Sequence, residues 1–235
     1  MSEPTAPAPR GPDVLDAAAL AVAVGGCAFA AWIWFNGPTT PIPMHMDLAG
    51  NVDRWGDRRE AGLVLGGATL VTAAAYGLAA WIERSKPMTD AARRGLWFGR
   101  LIALVTGLFV IGLVGSLSLG RIAPGQDATP VVRGVSVLLS AIMLVVGGLL
   151  GKTTPNPWVG VRTYWSLTSR LAWDKSNRLL GRLWFLFGLV GLPAALAGPM
   201  PITSTIIIVA MIVGGVLAVF ESWRVWMADP ERRIA

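Results

Sequence analysis

Pro155-Asn156-Pro157-Trp158-Val159-Gly160-Val161-Arg162-Thr163-Tyr164-Trp165-Ser166-Leu167 is a polar, aromatic, turn-forming stretch set between two long apolar runs. Upstream, residues 134–151 carry no charged side chain; downstream, residues 183–220 carry none. Runs of that length cross a bilayer, whose hydrocarbon core of about 30 Å takes roughly 20 helical residues. The stretch between them therefore lies at a membrane surface, where indole and guanidinium groups are both well solvated.

Working outward, residues 17–35, 61–82 and 101–120 are also free of charge. The last run, 183–220, is too long for one crossing, and Gly198-Pro199-Met200-Pro201 divides it, because proline stops a helix. Six crossings result. Backbone amides cannot go unpaired in lipid, and the runs do not alternate as barrel strands do, so they are helices. The fold class is all-α: a polytopic membrane protein with six transmembrane helices. Composition agrees. The chain is 54% hydrophobic and only 14% charged, against about 25% charged in soluble domains.

Orientation follows from Lys and Arg. Fifteen of the 20 fall on the side shared by both termini, the second loop and the fourth loop; Arg54, Arg58, Arg59, Arg121 and Arg133 fall on the other. This bias predicts both termini in the cytoplasm. It also accounts for the net charge of +6 as a topology signal with affinity for anionic lipids, so direct nucleic-acid binding is not expected.

Three parts are expected along the chain. Residues 1–15 are a disordered cytoplasmic tail. Residues 16–150 form a four-helix membrane module with a large extracytoplasmic loop at 36–60. Residues 151–235 carry the polar, aromatic loop, an amphipathic surface helix and the last two crossings. The second loop, 83–100, is basic and suits a short surface helix; the third has Pro-Gly turn chemistry. Val24-Gly25-Gly26-Cys27 loosely matches a lipoprotein cleavage site, but the residues beyond Cys27 stay apolar and Asp13 and Asp16 precede it. An uncleaved first helix is expected. A single cysteine leaves no intrachain disulfide. Gly62-x-x-x-Gly66 and Gly147-x-x-x-Gly151 predict close helix packing within the monomer. Trp32, Trp34, Trp81, Trp97, Trp223 and Trp226 sit near helix ends, as an interfacial belt requires.

Two loops carry the candidate chemistry. In the outer one, Pro41-Ile42-Pro43 gives a stiff lead-in and Gly50 and Gly56 allow turns. Pro43, His45, Asp47, Gly50 and Asp53 form a candidate ligand contact. The plainer reading is a compact loop held by Asp–Arg pairs and Asx turns, with His45 hydrogen-bonded locally. The spacing matches no metal motif, and no metal or cofactor is expected. In the inner loop, Ser166 or Thr168 is placed to cap a following helix. Arg170, Asp174, Arg178 and Arg182 then recur every four residues, which puts them on one helical face. That helix either anchors to headgroups through Arg162 and Trp165 or presents them to a cytoplasmic partner.

Asn156-x-x-x-Gly160-Val161-Arg162-Thr163-x-Trp165-Ser166-Leu167, followed by Trp173 and Asn177-Arg178, resembles the signature of the SdpI family. These are bacterial integral membrane proteins named for immunity to a secreted killing peptide. The family pattern usually has Pro where Tyr164 stands here. The outer loop, with Pro41-x-Pro43-x-His45 and Gly50-x-x-Asp53, resembles a membrane module that often precedes this signature in longer members. The resemblance implies a bacterial cytoplasmic membrane location, protection against a secreted toxin peptide and capture of a cytoplasmic repressor. It implies Asn156, Gly160, Arg162, Thr163, Trp165, Trp173 and Arg178 as partner-binding residues.

Other function classes fit poorly. The only histidine is His45, and no Gly-x-Ser-x-Gly, phosphate loop or His-Glu-x-x-His is present, so no enzyme is expected. An alternative is a small-molecule or lipid transporter. Ion-coupled transport needs ionisable residues within the spans. Arg100, Arg133, Arg182 and Glu221 lie at helix ends and are expected to snorkel towards water.

Overall fold

The computed structural model describes residues 11–85, 88, 90–119, 122, 126–156 and 159–232. The expected tail lies outside them over residues 1–10, as do the Pro-Gly turn of the third loop and Pro157 and Trp158. Nine elements are arranged in order: α1 (Val14–Asn36), β1 (Ile42–Met46), β2 (Val52–Gly56), α2 (Arg58–Ser85), α3 (Asp90–Ser118), α4 (Thr129–Leu150), α5 (Tyr164–Thr168), α6 (Arg170–Ala197) and α7 (Ile202–Ala228). All but α5 and the strands are long and apolar enough to cross a membrane, giving six spans. The chain is a multi-pass helical membrane protein.

Several helices run past the charge-free segments that announced them. α3 begins at Asp90 and takes in most of the basic second loop. α6 begins at Arg170 and continues unbroken to Ala197. The expected surface helix and fifth crossing are thus one helix with no turn between them, because an arginine stripe on one face does not interrupt helical hydrogen bonding. α1 starts at Val14, where Asp13 and Asp16 form a reciprocal capping box.

The chain folds as two compact units, and they divide elsewhere than at residue 150. One unit contains α1, both strands, α2 and α3; the other contains residues 47–51 and everything from Ala128 onward. α4 therefore belongs with α6 and α7, not with the first three helices. The reason is close packing. A Cβ added at Gly147 would lie 2.4 Å from the Phe185 backbone N, and one at Gly188 would lie 2.4 Å from the Leu144 backbone N. Only glycine lets α4 and α6 approach so nearly. Met143, Ala195 and Ile207 form a core where α4, α6 and α7 meet; Leu150, Leu180, Ala218 and the loop residue Val161 form another. In the first unit, Ala30, Ile33, Ile42, Ala61 and Leu65 cluster between α1 and α2, beside Gly62.

The two-stranded hairpin was not expected. β1 and β2 pair antiparallel, with Pro43 opposite Trp55 and His45 opposite Arg54. Five-residue strands containing proline give little sequence signal.

Candidate functional site

The segment after α4 is held by its own amides. Asn156 is 5% exposed. Its Nδ2 donates to the carbonyls of Thr154 (2.8 Å) and Val159 (3.1 Å), and its Oδ1 accepts the Val159 N–H at 2.8 Å. One side-chain amide thus closes the turn that carries the chain back towards α6.

Two α6 residues, four apart and so on one face, grip the next stretch. The Asn177 Oδ1 accepts the Val161 N–H at 2.8 Å, and its Nδ2 donates to the Trp173 carbonyl at 3.0 Å. Trp173 is fully buried, and its indole N–H donates to the Thr153 carbonyl at 3.0 Å. Gly160 passes over both with φ +135°, and a Cβ there would lie 2.6 Å from Asn177 Oδ1 and 2.9 Å from the Trp173 ring. Both the conformation and the space require glycine.

Hydroxyls fasten α5 and the helix ends around it. Thr163 caps α5 in a reciprocal box with Ser166, whose Oγ also donates to the Val161 carbonyl at 2.5 Å. Thr163 Oγ1 lies 2.8 Å from Ser222 Oγ on α7. The cap of α6 is Ser169, neither Ser166 nor Thr168; Thr168 donates back to the Tyr164 carbonyl instead. Ser169 Oγ also donates to Asp229 Oδ2 at 2.5 Å, just past the end of α7. This bond, with one from the Glu231 N–H, holds the Asp229 carboxyl below the usual carboxylate range. Loop, α5, the start of α6 and the end of α7 are one hydrogen-bonded body.

What remains outside is cationic and apolar. Arg162, Arg170, Lys175, Arg178 and Arg182 are exposed, with Tyr164, Leu167 and Leu171 among them, and Trp165 is half-buried. Arg170 pairs loosely with Asp174 at 3.6 Å. The implied partner-binding set therefore separates. Arg162 and Arg178 face outward. Asn156 and Trp173 are buried, and Gly160 and Thr163 shape the loop. The set also lacked Ser169, Asn177, Ser222 and Asp229.

Local hydrogen bonds of the kind the plainer reading expects run through the outer loop. His45 Nδ1 lies 2.6 Å from Asp53 Oδ1, across the strand pair. Asp47 Oδ1 accepts the N–H groups of Ala49 (2.9 Å) and Asn51 (2.8 Å), and its Oδ2 accepts Asn51 Nδ2 at 2.8 Å. These bonds, that from the Asn51 side chain foremost, hold the Asp47 carboxyl below its ordinary range. Gly50 turns there with φ +89°. Asp57 caps α2 through Arg59 and Glu60, and Arg54 pairs with Glu60 at 2.5 Å. Pro43, within β1, is buried. Asp47 and Asp57 are thus engaged by amides, Glu60 by Arg54 and Asp53 by His45, and among the described residues no three His, Cys, Asp or Glu side chains are grouped so as to hold a metal ion.

Arg100 does not snorkel. The Arg100 side chain is 3% exposed and binds Glu83 (2.6 Å), Asp13 (2.9 Å), Asp16 (3.0 Å) and the Tyr76 hydroxyl (2.7 Å). Glu83 is itself 6% exposed. The buried charge is met by partners from α1 and α2 and by the α1 cap residue, while the Arg100 Nε is buried without a hydrogen-bond partner among the described residues. Arg133 donates to the carbonyls of Ala195 (2.8 Å), Leu196 (2.9 Å) and Gly198 (3.2 Å). It thereby caps the C-terminus of α6, whose last carbonyls lack helical partners.

Six helices long and apolar enough to cross a membrane and a folded, charge-bearing segment between α4 and α6 define a multi-pass membrane protein. Residues 152–221 match the model of the SdpI/YfhL protein family, as the signature resemblance indicated. The match covers under a third of the chain and does not reach the outer-loop module. No curated protein and no solved structure matches the chain.

Proposed function

We propose that this protein is a non-enzymatic binding and sensing protein of the bacterial cytoplasmic membrane. It protects the cell against a secreted membrane-active peptide and captures a cytoplasmic repressor on its signature segment. The observation that carries this reading is the division of labour within the segment. Asn156, Gly160, Trp173 and Asn177 hold the backbone that carries Arg162, and Arg162 and Arg178 are both exposed. A preorganised cationic surface loses little entropy on binding an acidic partner. The charge bias of the loops favours a cytosolic position for this surface, where such a partner would be. The family resemblance supplies the peptide and repressor roles.

The test is expression in a peptide-sensitive bacterium. Cells carrying the wild-type chain should survive a challenge that kills the empty-vector strain, and Arg162→Ala/Arg178→Ala should lose repressor capture at equal membrane levels. Survival equal to the empty vector across a panel of membrane-active peptides would remove the immunity role. Normal capture by the double variant would remove the docking role.

A further inference from the structure

We propose that the groove between α1 and α2 is a phospholipid site, in which one acyl chain lies along the helices and its phosphate sits on Arg84. The groove encloses about 350 Å³ and runs from Asp16 to Ala23 on α1 and from Ala73 to Arg84 on α2. Seven residues of α1 rise about 10 Å, which is a substantial part of one leaflet. Its walls are narrow because Ala19, Ala23, Ala73 and Gly77 are small, while Leu20 and Trp81 flank the opening. Such a slot suits a hydrocarbon chain.

The polar end decides the head. Asp16 is fully engaged: Oδ1 accepts from Tyr76 (3.2 Å) and Arg100 (3.0 Å), and Oδ2 accepts from the Asp13 N–H (2.8 Å) and from Arg84. It has no lone pair left for a cationic head. Arg84 spends only Nη2 on Asp16; Nε and Nη1 have no partner among the described residues, and the side chain is 37% exposed. Asp16 thus aims a guanidinium whose remaining donors match phosphate oxygens. Trp81, 59% exposed, lies one helical turn from it, as a headgroup-level indole does. A guanidinium with spare donors at the mouth of an apolar slot matches an anionic head on an acyl tail.

The experiment uses the purified full-length chain in mild detergent, titrated separately with dioleoyl phosphatidylglycerol, dioleoylglycerol and inorganic phosphate, with Tm as readout. A ligand that binds only the folded protein raises Tm. The phospholipid should raise Tm by several degrees, and the other two should not. Arg84→Gln removes the phosphate contact. Gly77→Leu puts a branched side chain into the slot from a position where the Cβ itself meets nothing within 4 Å. Both variants should lose the phospholipid shift. An equal shift with dioleoylglycerol or with inorganic phosphate, or a full shift in Gly77→Leu, would overturn the assignment. Gly77→Leu keeps that test sharp if Arg84→Gln does not fold.

Discussion

Around Arg100, α1, α2 and α3 are tied by charges; around Asn177, a loop and three helix ends are tied by neutral amides and hydroxyls, with the single carboxylate of Asp229 at the end of α7. Both groups are buried, and they differ in what happens when one member is lost. An ion pair taken from water leaves an uncompensated charge behind, which is worth about 3–5 kcal/mol. A neutral donor or acceptor left without its partner is worth about 1–3 kcal/mol. The first unit is therefore fastened by a few bonds of high consequence. The second is fastened by many of modest consequence, which suits a segment that must hold one shape while exposing its cations.

The largest expected effect is at the charged group. Arg100→Met leaves Glu83 and Asp16 without their shared cation and should destabilise the protein by about 3–5 kcal/mol, read as a lowered Tm in detergent. A loss no larger than that from a neutral change would erase the contrast between the two regions. Next come the neutral clamps. Gly160→Ala forces an L-residue into φ +135° and drives its Cβ onto Asn177; about 1–3 kcal/mol is expected from the backbone alone. Asn177→Ala orphans the Val161 N–H and should be worth about 1–3 kcal/mol. Limited proteolysis should then cut between α4 and α6 in either variant while the first unit stays intact.

Ser169→Ala is smaller, about 1 kcal/mol for the lost helix cap, and it also changes the pH response. Because the folded Asp229 carboxyl titrates below its unfolded value, its contribution is present above ordinary carboxylate pH. It is lost as pH falls through the folded value. Ser169→Ala should flatten this acid limb of a Tm-against-pH curve, and an unchanged limb would remove Ser169 as its cause. Arg162→Ala should be the mildest, within about 0.5 kcal/mol, since the side chain is exposed.

The six spans were legible because charge is nearly absent from them. The helix starts were not, because Arg93, Arg94 and Arg100 in α3, and the arginine stripe in α6, lower hydropathy without breaking a helix. Reading Arg100 as a snorkelling end residue failed for a related reason. Its partners Asp13 and Asp16 are 87 and 84 residues away, and only a fold brings them near. In the signature segment, Asn156 and Gly160 belong to a stretch legible as turn-forming, while the Trp173/Asn177 clamp on α6 was not legible. Ser222 and Asp229 carry no local signal, since they reach Thr163 and Ser169 across 59 and 60 residues. Burial was not legible either: Trp173, which the family resemblance implies as a partner-binding aromatic, is fully buried in the fold.

The proposed docking role depends on where Arg162 lies. In a Cys27→Ala background, Arg162→Cys should react with a membrane-impermeant maleimide in inside-out vesicles and stay unlabelled in right-side-out ones. Labelling only in right-side-out vesicles would place the signature segment outside the cell and contradict the account.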